Sequence, residues 1–145
     1  MIYTPLTKKA LKISFKAHKD QFDKSGIPYV YHPYELASQM STEAEVCVAL
    51  LHDVVEDTDT TFEDLINEGF CDEIIDALRL LTHNDNTPYM DYVRKIKENP
   101  IAKNVKLADL RHNSTLARHD VITDWDLKRQ NKYKTAIEIL LGNQE

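Results

Sequence analysis

The sequence predicts an all-α domain, a helical bundle of about seven or eight helices. Apolar residues recur at helical spacing through most of the chain. Thr, Ser, Asp or Pro stands where these periodic segments begin. Only three Gly occur in 145 residues, with few turn clusters, which argues against a chain of short strands.

The first helix is expected over about Thr4 to Lys19, with Thr4 as N-cap and Pro5 just inside. Leu6, Ala10, Ile13 and Ala17 form its apolar stripe, widened by Leu11, Ser14 and Phe15. A loop follows to His32, carrying Gly26 and Pro28. His32 precedes Pro33, so it is expected to be extended, with Pro33 opening a short helix to Met40. The next helix is expected from Thr42 to Glu56, apolar almost all round at Val46 to Leu51, and therefore central. Thr60 or Thr61 caps a helix ending near Gly69, and Glu63 and Asp64 suit its first turn. Cys71 to Leu81 turns Ile74, Ile75, Leu78 and Leu81 inward. His83 to Thr87 is a polar loop. Pro88 opens a helix to about Asn99, and Pro100 another to about Leu116. Asp124 caps the last helix, which docks through Trp125, Leu127, Tyr133, Ile137, Leu140 and Leu141.

Composition narrows the function. Hydrophobic content of 42% and charged content of 29% fit one ordinary globular domain over 1–145. No apolar run reaches the ~20 residues of a membrane span, and no charged-then-apolar leader opens the chain. Cys47 and Cys71 lack zinc-type spacing and read as reduced thiols of a cytoplasmic protein. A net charge of −6 disfavours a nucleic-acid polymer as partner. It leaves room for a small anionic ligand, because one metal ion and a few local cations override the global sign.

Chemistry concentrates at the end of the apolar helix, in Leu50-Leu51-His52-Asp53-Val54-Val55-Glu56-Asp57. Imidazole nitrogen and carboxylate oxygen both bind borderline divalent ions. His52 and Glu56 are i, i+4, as are Asp53 and Asp57, so each pair shares a helix face. A purely structural cluster of acids at this C-terminal end would oppose the helix dipole. Asp109 lies in a second apolar helix, with Asn113 at i+4 on its face and Lys106 at i−3 as a structural partner. With His32 these residues form an H…HD…D set, the pattern of a metal-dependent phosphohydrolase.

Three stretches carry a resemblance. His18-Lys19-Asp20-Gln21-Phe22-Asp23-Lys24-Ser25-Gly26-Ile27-Pro28-Tyr29-Val30-Tyr31-His32-Pro33 resembles the family pattern AHxxQxRKSGxPYxxHP. Leu50 to Thr58 is similar to LLHDVVEDT, and Lys106 to Asn113 resembles KLADRLHN. These are motifs of the HD-superfamily hydrolase domain of RelA/SpoT-type alarmone enzymes. The resemblance implies an all-α domain that removes the 3′-pyrophosphate of guanosine tetra- and pentaphosphate, usually with Mn²⁺. Its metal ligands would be His32, His52, Asp53 and Asp109. Glu56 and Asp57 would position and activate the attacking water. Lys24 and Ser25 would contact the nucleotide, and Asn113 would lie near its ribose. The chain ends near the expected end of the hydrolase domain, so no synthetase or regulatory domain is expected.

Three positions depart from the pattern. Asp23 replaces an Arg suited to stacking or phosphate clamping, and a carboxylate there should repel a polyphosphate. Leu110-Arg111 inverts the usual Arg-Leu order, moving the guanidinium by about 100° around the helix. The segment from Asp57 to Lys106 is shorter than in long members. The residues thus leave two rivals beside the guanosine polyphosphate hydrolase: an enzyme for another nucleotide, such as a dinucleotide 2′- or 3′-phosphate or a nucleoside monophosphate, and a non-catalytic metal-bearing nucleotide sensor. The intact Glu56–Asp57 pair favours an enzyme. Among the remaining residues, His18 and His112 read as supports for ligands. His83 and His119 read as solvated, Tyr29, Tyr31 and Tyr34 as packing, and Lys128, Arg129, Lys132 and Lys134 as a solvated face.

Overall fold

A computed structural model of the chain describes residues 1–114 and 121–142. Among them are nine helices and no strand beyond one isolated bridge between Phe22 and Pro28. The helices are α1 (Pro5–Ala17), α2 (Tyr31–Ser38), α3 (Glu43–Leu51), α4 (Val54–Asp57), α5 (Phe62–Asn67), α6 (Asp72–Leu81), α7 (Tyr89–Ile96), α8 (Pro100–Asn113) and α9 (Asp124–Leu140). Among the described residues no helix is long and apolar enough to cross a membrane.

Helix α3 is the centre. Thr42 caps it by accepting from the Glu45 amide, and Val46 to Leu51 are all 0% exposed. Each large apolar side chain buried in this way contributes about 1.5–3 kcal/mol, so the helix is fixed by packing on all sides. It packs against α1, α2, α6 and α8. Glu45, the one acid on its buried run, is held by Asn104 Nδ2 of α8 at 2.7 Å. Thr4 and Thr61 cap α1 and α5 as expected, and Asn99 caps α8.

The differences from expectation have local causes. The helix expected over Thr42 to Glu56 breaks after Leu51 and resumes as the short α4. His52 Nδ1 bonds the Ala49 carbonyl at 2.7 Å and competes for the acceptor that the Asp53 amide would use. This break is why there are nine helices rather than seven or eight. His32 is helical, not extended, because α2 begins at Tyr31. Pro33 then sits in the first turn, where no intrahelical donor is required, and His32 is locked from both sides by tertiary contacts described below. Helix α7 stops at Ile96, short of Asn99. Thr123, not Asp124, caps α9, in a reciprocal box with Asp126.

Helix α9 docks through Ala136, Ile139 and Leu140, with Tyr133 and Ile137 half-buried. Trp125, Leu127 and Leu141 face solvent, contrary to expectation, as does Phe15 on α1. The inverted pair at 110–111 puts Leu110 in the core and Arg111 at the surface. The expected end of α8 near Leu116 and the reading of His119 lie outside the described residues.

Candidate metal and nucleotide site

The break after α3 turns His52 and Asp53 toward α8. Helix α2 brings His32 to the same point, and α8 supplies Asp109. Donor atoms of His32, His52 and Asp109 all lie within 4.8 Å of one another. His32 Nε2 is 2.8 Å from Asp109 Oδ1, and His52 Nε2 is 3.5 Å from the same oxygen. Asp53 enters from the other side of His52, with Oδ2 2.9 Å from Nε2. Three of the four expected ligands, His32, His52 and Asp109, thus gather at one buried spot, with Asp53 beside His52.

The donor set fits a divalent cation. His52 Nδ1 is committed to the Ala49 carbonyl as a donor, which leaves Nε2 with a free lone pair. That buried Nε2 has no hydrogen-bond partner, although two carboxylates flank it. A lone pair facing carboxylate oxygens repels them unless a cation lies between. Burial works against a charge on His52, yet Asp53 and Asp109 outweigh it and drive the imidazole well toward its charged form. The field that draws a proton to Nε2 draws a metal ion equally. His32 is oriented likewise: its Nδ1 is 2.6 Å from His112 Nδ1, so the ring is held from behind while Nε2 faces Asp109.

Asp109 is the hub. Burial opposes its ionisation, but Lys106, His32 and His52 hold its carboxyl well below the usual carboxylate range. Lys106 Nζ donates to Oδ2 at 3.0 Å, and Asn113 Nδ2 to Oδ1 at 3.0 Å. Both groups of the Lys106–Asp109 pair are largely buried, so removing one leaves an uncompensated charge. Lys106→Met is expected to destabilise the metal-free protein by about 3–5 kcal/mol, with part of the loss recovered on adding Mn²⁺. Urea unfolding with and without the ion checks this.

Several contributors escaped the sequence reading. The Tyr29 hydroxyl donates to Asp53 Oδ2. Burial and then Asp53 push its pKa up, so it stays a donor. Gln21 Nε2 donates to the Asp57 carbonyl at 3.1 Å, and its Oε1 faces His18 Nδ1 at 2.8 Å. His83 is half-buried rather than solvated. Its Nε2 bonds the Thr87 carbonyl at 2.8 Å, and its backbone acts to lower the Glu56 carboxyl's pKa.

Glu56 and Asp57 stand at the open side of the centre on α4. Partial loss of water, then the Asp53 charge, raises the pKa of both carboxyls above their ordinary values. On the other side, Lys24, Ser25 and Asn113 line one cavity of about 140 Å³ together with His32. Arg129 and Tyr133 of α9 close it, so Arg129 is not simply part of a solvated face. Helix α9 adds a wall to this cavity that the sequence did not name.

Asp23 also borders this cavity, but its Oδ1 accepts from the Ser25 amide at 2.8 Å and the Ile27 amide at 3.0 Å. The carboxylate closes the turn that presents Lys24 and Ser25, with Gly26 at φ +80° supplying the left-handed residue. It thus shapes the loop, while its charge still borders the cavity. Asp23→Ala should loosen the loop, since each amide loses a bond worth about 0.5–1.5 kcal/mol. The expected result is a raised KM with little change in kcat, read from steady-state nucleotide hydrolysis.

An all-α bundle with this buried constellation at a broken central helix defines the HD class of hydrolase domains. No family model matches the chain. It is similar to the guanosine-3′,5′-bis(diphosphate) 3′-pyrophosphohydrolase MESH1 of Danio rerio, 31% identical over 143 residues, 90% of this chain and 79% of that protein. The Mus musculus protein of the same name is 32% identical over 146 residues, covering 90% and 81%. A GTP pyrophosphokinase of Myxococcus xanthus is 34% identical over 132 residues, covering 79% of this chain but 17% of that longer protein. A solved structure of a metazoan orthologue of SpoT that hydrolyses ppGpp superposes with a TM-score of 0.73 at 26% identity, covering 99% of this chain and 87% of that one. The chain belongs to the RelA/SpoT-type family of guanosine-3′,5′-bis(diphosphate) 3′-pyrophosphohydrolases.

Proposed function

We propose that this protein is a metal-dependent enzyme that removes the 3′-pyrophosphate of guanosine tetra- and pentaphosphate. The observation that carries this reading is the convergence of His32, His52 and Asp109 within 4.8 Å, with Asp53 beside His52. Relatives named for the same reaction support the substrate. His32, His52, Asp53 and Asp109 would hold the ion, taken here as Mn²⁺. A divalent ion at this place supplies Lewis acidity, lowering the pKa of a water and offsetting negative charge that develops on phosphorus.

The protein residues do the rest. Water attacks the phosphorus attached to O3′, the O3′–P bond breaks, and the O3′ oxygen takes a proton from solvent as pyrophosphate is released. Glu56 takes the proton of the water, and its raised pKa brings it nearer to the working pH of a general base. Asp57, fixed through its backbone by Gln21, orients the same water. Lys24 and Ser25 hold the nucleotide phosphates and Asn113 the ribose, in the cavity beside His32. The side chains of Tyr29 and His112 keep Asp53 and His32 aimed. The unpaired thiols Cys47 and Cys71 suit a reducing, cytoplasmic setting.

A nucleotide screen with Mn²⁺, reading pyrophosphate and orthophosphate separately, tests this function. Pyrophosphate from guanosine tetraphosphate is the expected signal. Faster turnover of a dinucleotide phosphate or a nucleoside monophosphate, with orthophosphate released, overturns it.

A further inference from the structure

Beside α1 the molecule carries another concave surface, distinct from the cavity that His32 lines. It is a groove of about 710 Å³ between α1 and α2, walled by Leu11, Phe15, Val30, Tyr31 and Tyr34. Phe15 and Tyr31 are each 60% exposed and Tyr34 39%. Large aromatic side chains left in water on one continuous surface mark an interaction site more often than chance scatter does.

The charged side chains that line this groove are basic, Lys12 and Lys19, while Glu35 stands beside Tyr34 on α2 and Asp20 follows Lys19. Between Pro5 and Lys19 the chain carries Lys8, Lys9, Lys12, Lys16 and Lys19 and no acid. The whole protein has a net charge of −6, so this is a local patch against the general sign. Core packing does not require it, because the stripe that α1 buries is Thr7, Ala10 and Ser14 on the opposite face.

We propose that the α1–α2 groove docks an acidic amphipathic helix of a partner protein. The guest's apolar stripe would lie on Phe15, Tyr31 and Tyr34, and its carboxylates would meet Lys12 and Lys19. Helix-in-groove docking uses an apolar seam with flanking charges of this kind, and complementary charge sets its rate and specificity. The concavity favours a helix over a lipid surface, which takes convex, protruding side chains. The tyrosine hydroxyls at the rim supply donors to a polar edge.

The probe is a fluorescein-labelled helical peptide built from Leu, Ala and Glu in an amphipathic repeat, titrated by anisotropy against the full chain. Saturable binding is expected, weakening as salt rises. Phe15→Ser and the double variant K12E/K19E should each weaken it at least tenfold, while circular dichroism and thermal unfolding stay as in wild type. A peptide with Lys in place of Glu should not bind. The proposal is overturned by no saturable binding of the acidic peptide, by binding unchanged in both variants, or by co-sedimentation with phosphatidylglycerol vesicles in preference to the peptide. Concentration-dependent dimerisation by sedimentation velocity that is abolished by Phe15→Ser also overturns it, since a second copy would then fill the groove.

Discussion

Asp53→Ala is expected to abolish both metal retention and turnover while the protein stays folded. Asp53 is one of four expected ligands at the candidate centre, and its Oδ2 is the oxygen nearest His52 Nε2, at 2.9 Å. With it gone, the remaining His32, His52 and Asp109 carry one negative charge fewer to hold a dication. The structural cost is small by comparison. The Tyr29 hydroxyl loses its acceptor, about 1–3 kcal/mol, against a usual domain stability of about 5–15 kcal/mol. Elemental analysis after gel filtration and far-UV circular dichroism check the two halves. Stoichiometric metal in the variant would remove Asp53 from the ligand set.

Glu56→Gln is expected to keep the metal and the nucleotide but to lower kcat by about 10²-fold or more, the usual scale of a general base. KM should change little, because the carboxylate acts on the water and not on the nucleotide. The wild-type rate should fall as pH drops through the Glu56 value, which burial and Asp53 raise above the ordinary 4.5. The variant should lack that acid limb. Stability carries an opposite signature. A carboxyl whose folded pKa is raised favours the fold only when protonated, so its contribution is full below the unfolded value and is lost as pH rises through the folded one. Metal-free Glu56→Gln should therefore unfold at a higher temperature than wild type near neutral pH, and at about the same temperature in acid below that window. Undiminished turnover at saturating substrate would end the catalytic role of Glu56.

The part of the candidate centre on α3 and α4 was legible because its residues are neighbours in the chain, while His32 and Asp109 were named through the H…HD…D pattern. His52 and Asp53 are adjacent, and Glu56 and Asp57 follow within about one turn in any helical arrangement. Asp109 and Asn113 sit one turn apart and do share a face, joined by a 3.0 Å bond. The supports were harder to read because tertiary packing makes them. Tyr29 reaches Asp53 across 24 residues, and His112 reaches His32 across 80, through the packing of α2 on α8. No periodicity encodes such a contact. The break at His52 was also hidden, since it arises from a side chain competing for a backbone carbonyl inside a strongly helical run. At His32 a local rule about residues before proline yielded to tertiary locking by Asp109 and His112. Asp23 could be recognised as a departure, but its part in closing the turn depends on the positions of two backbone amides.

The most direct test of the metal-centre account is a titration of chelator-treated protein with Mn²⁺, following heat of binding and pyrophosphate release from guanosine tetraphosphate in parallel. The account predicts that activity rises from zero in step with occupancy of one ion per chain, and that His52→Ala loses both signals together. Hydrolysis that persists without added metal, or ion binding undisturbed in His52→Ala, would contradict it.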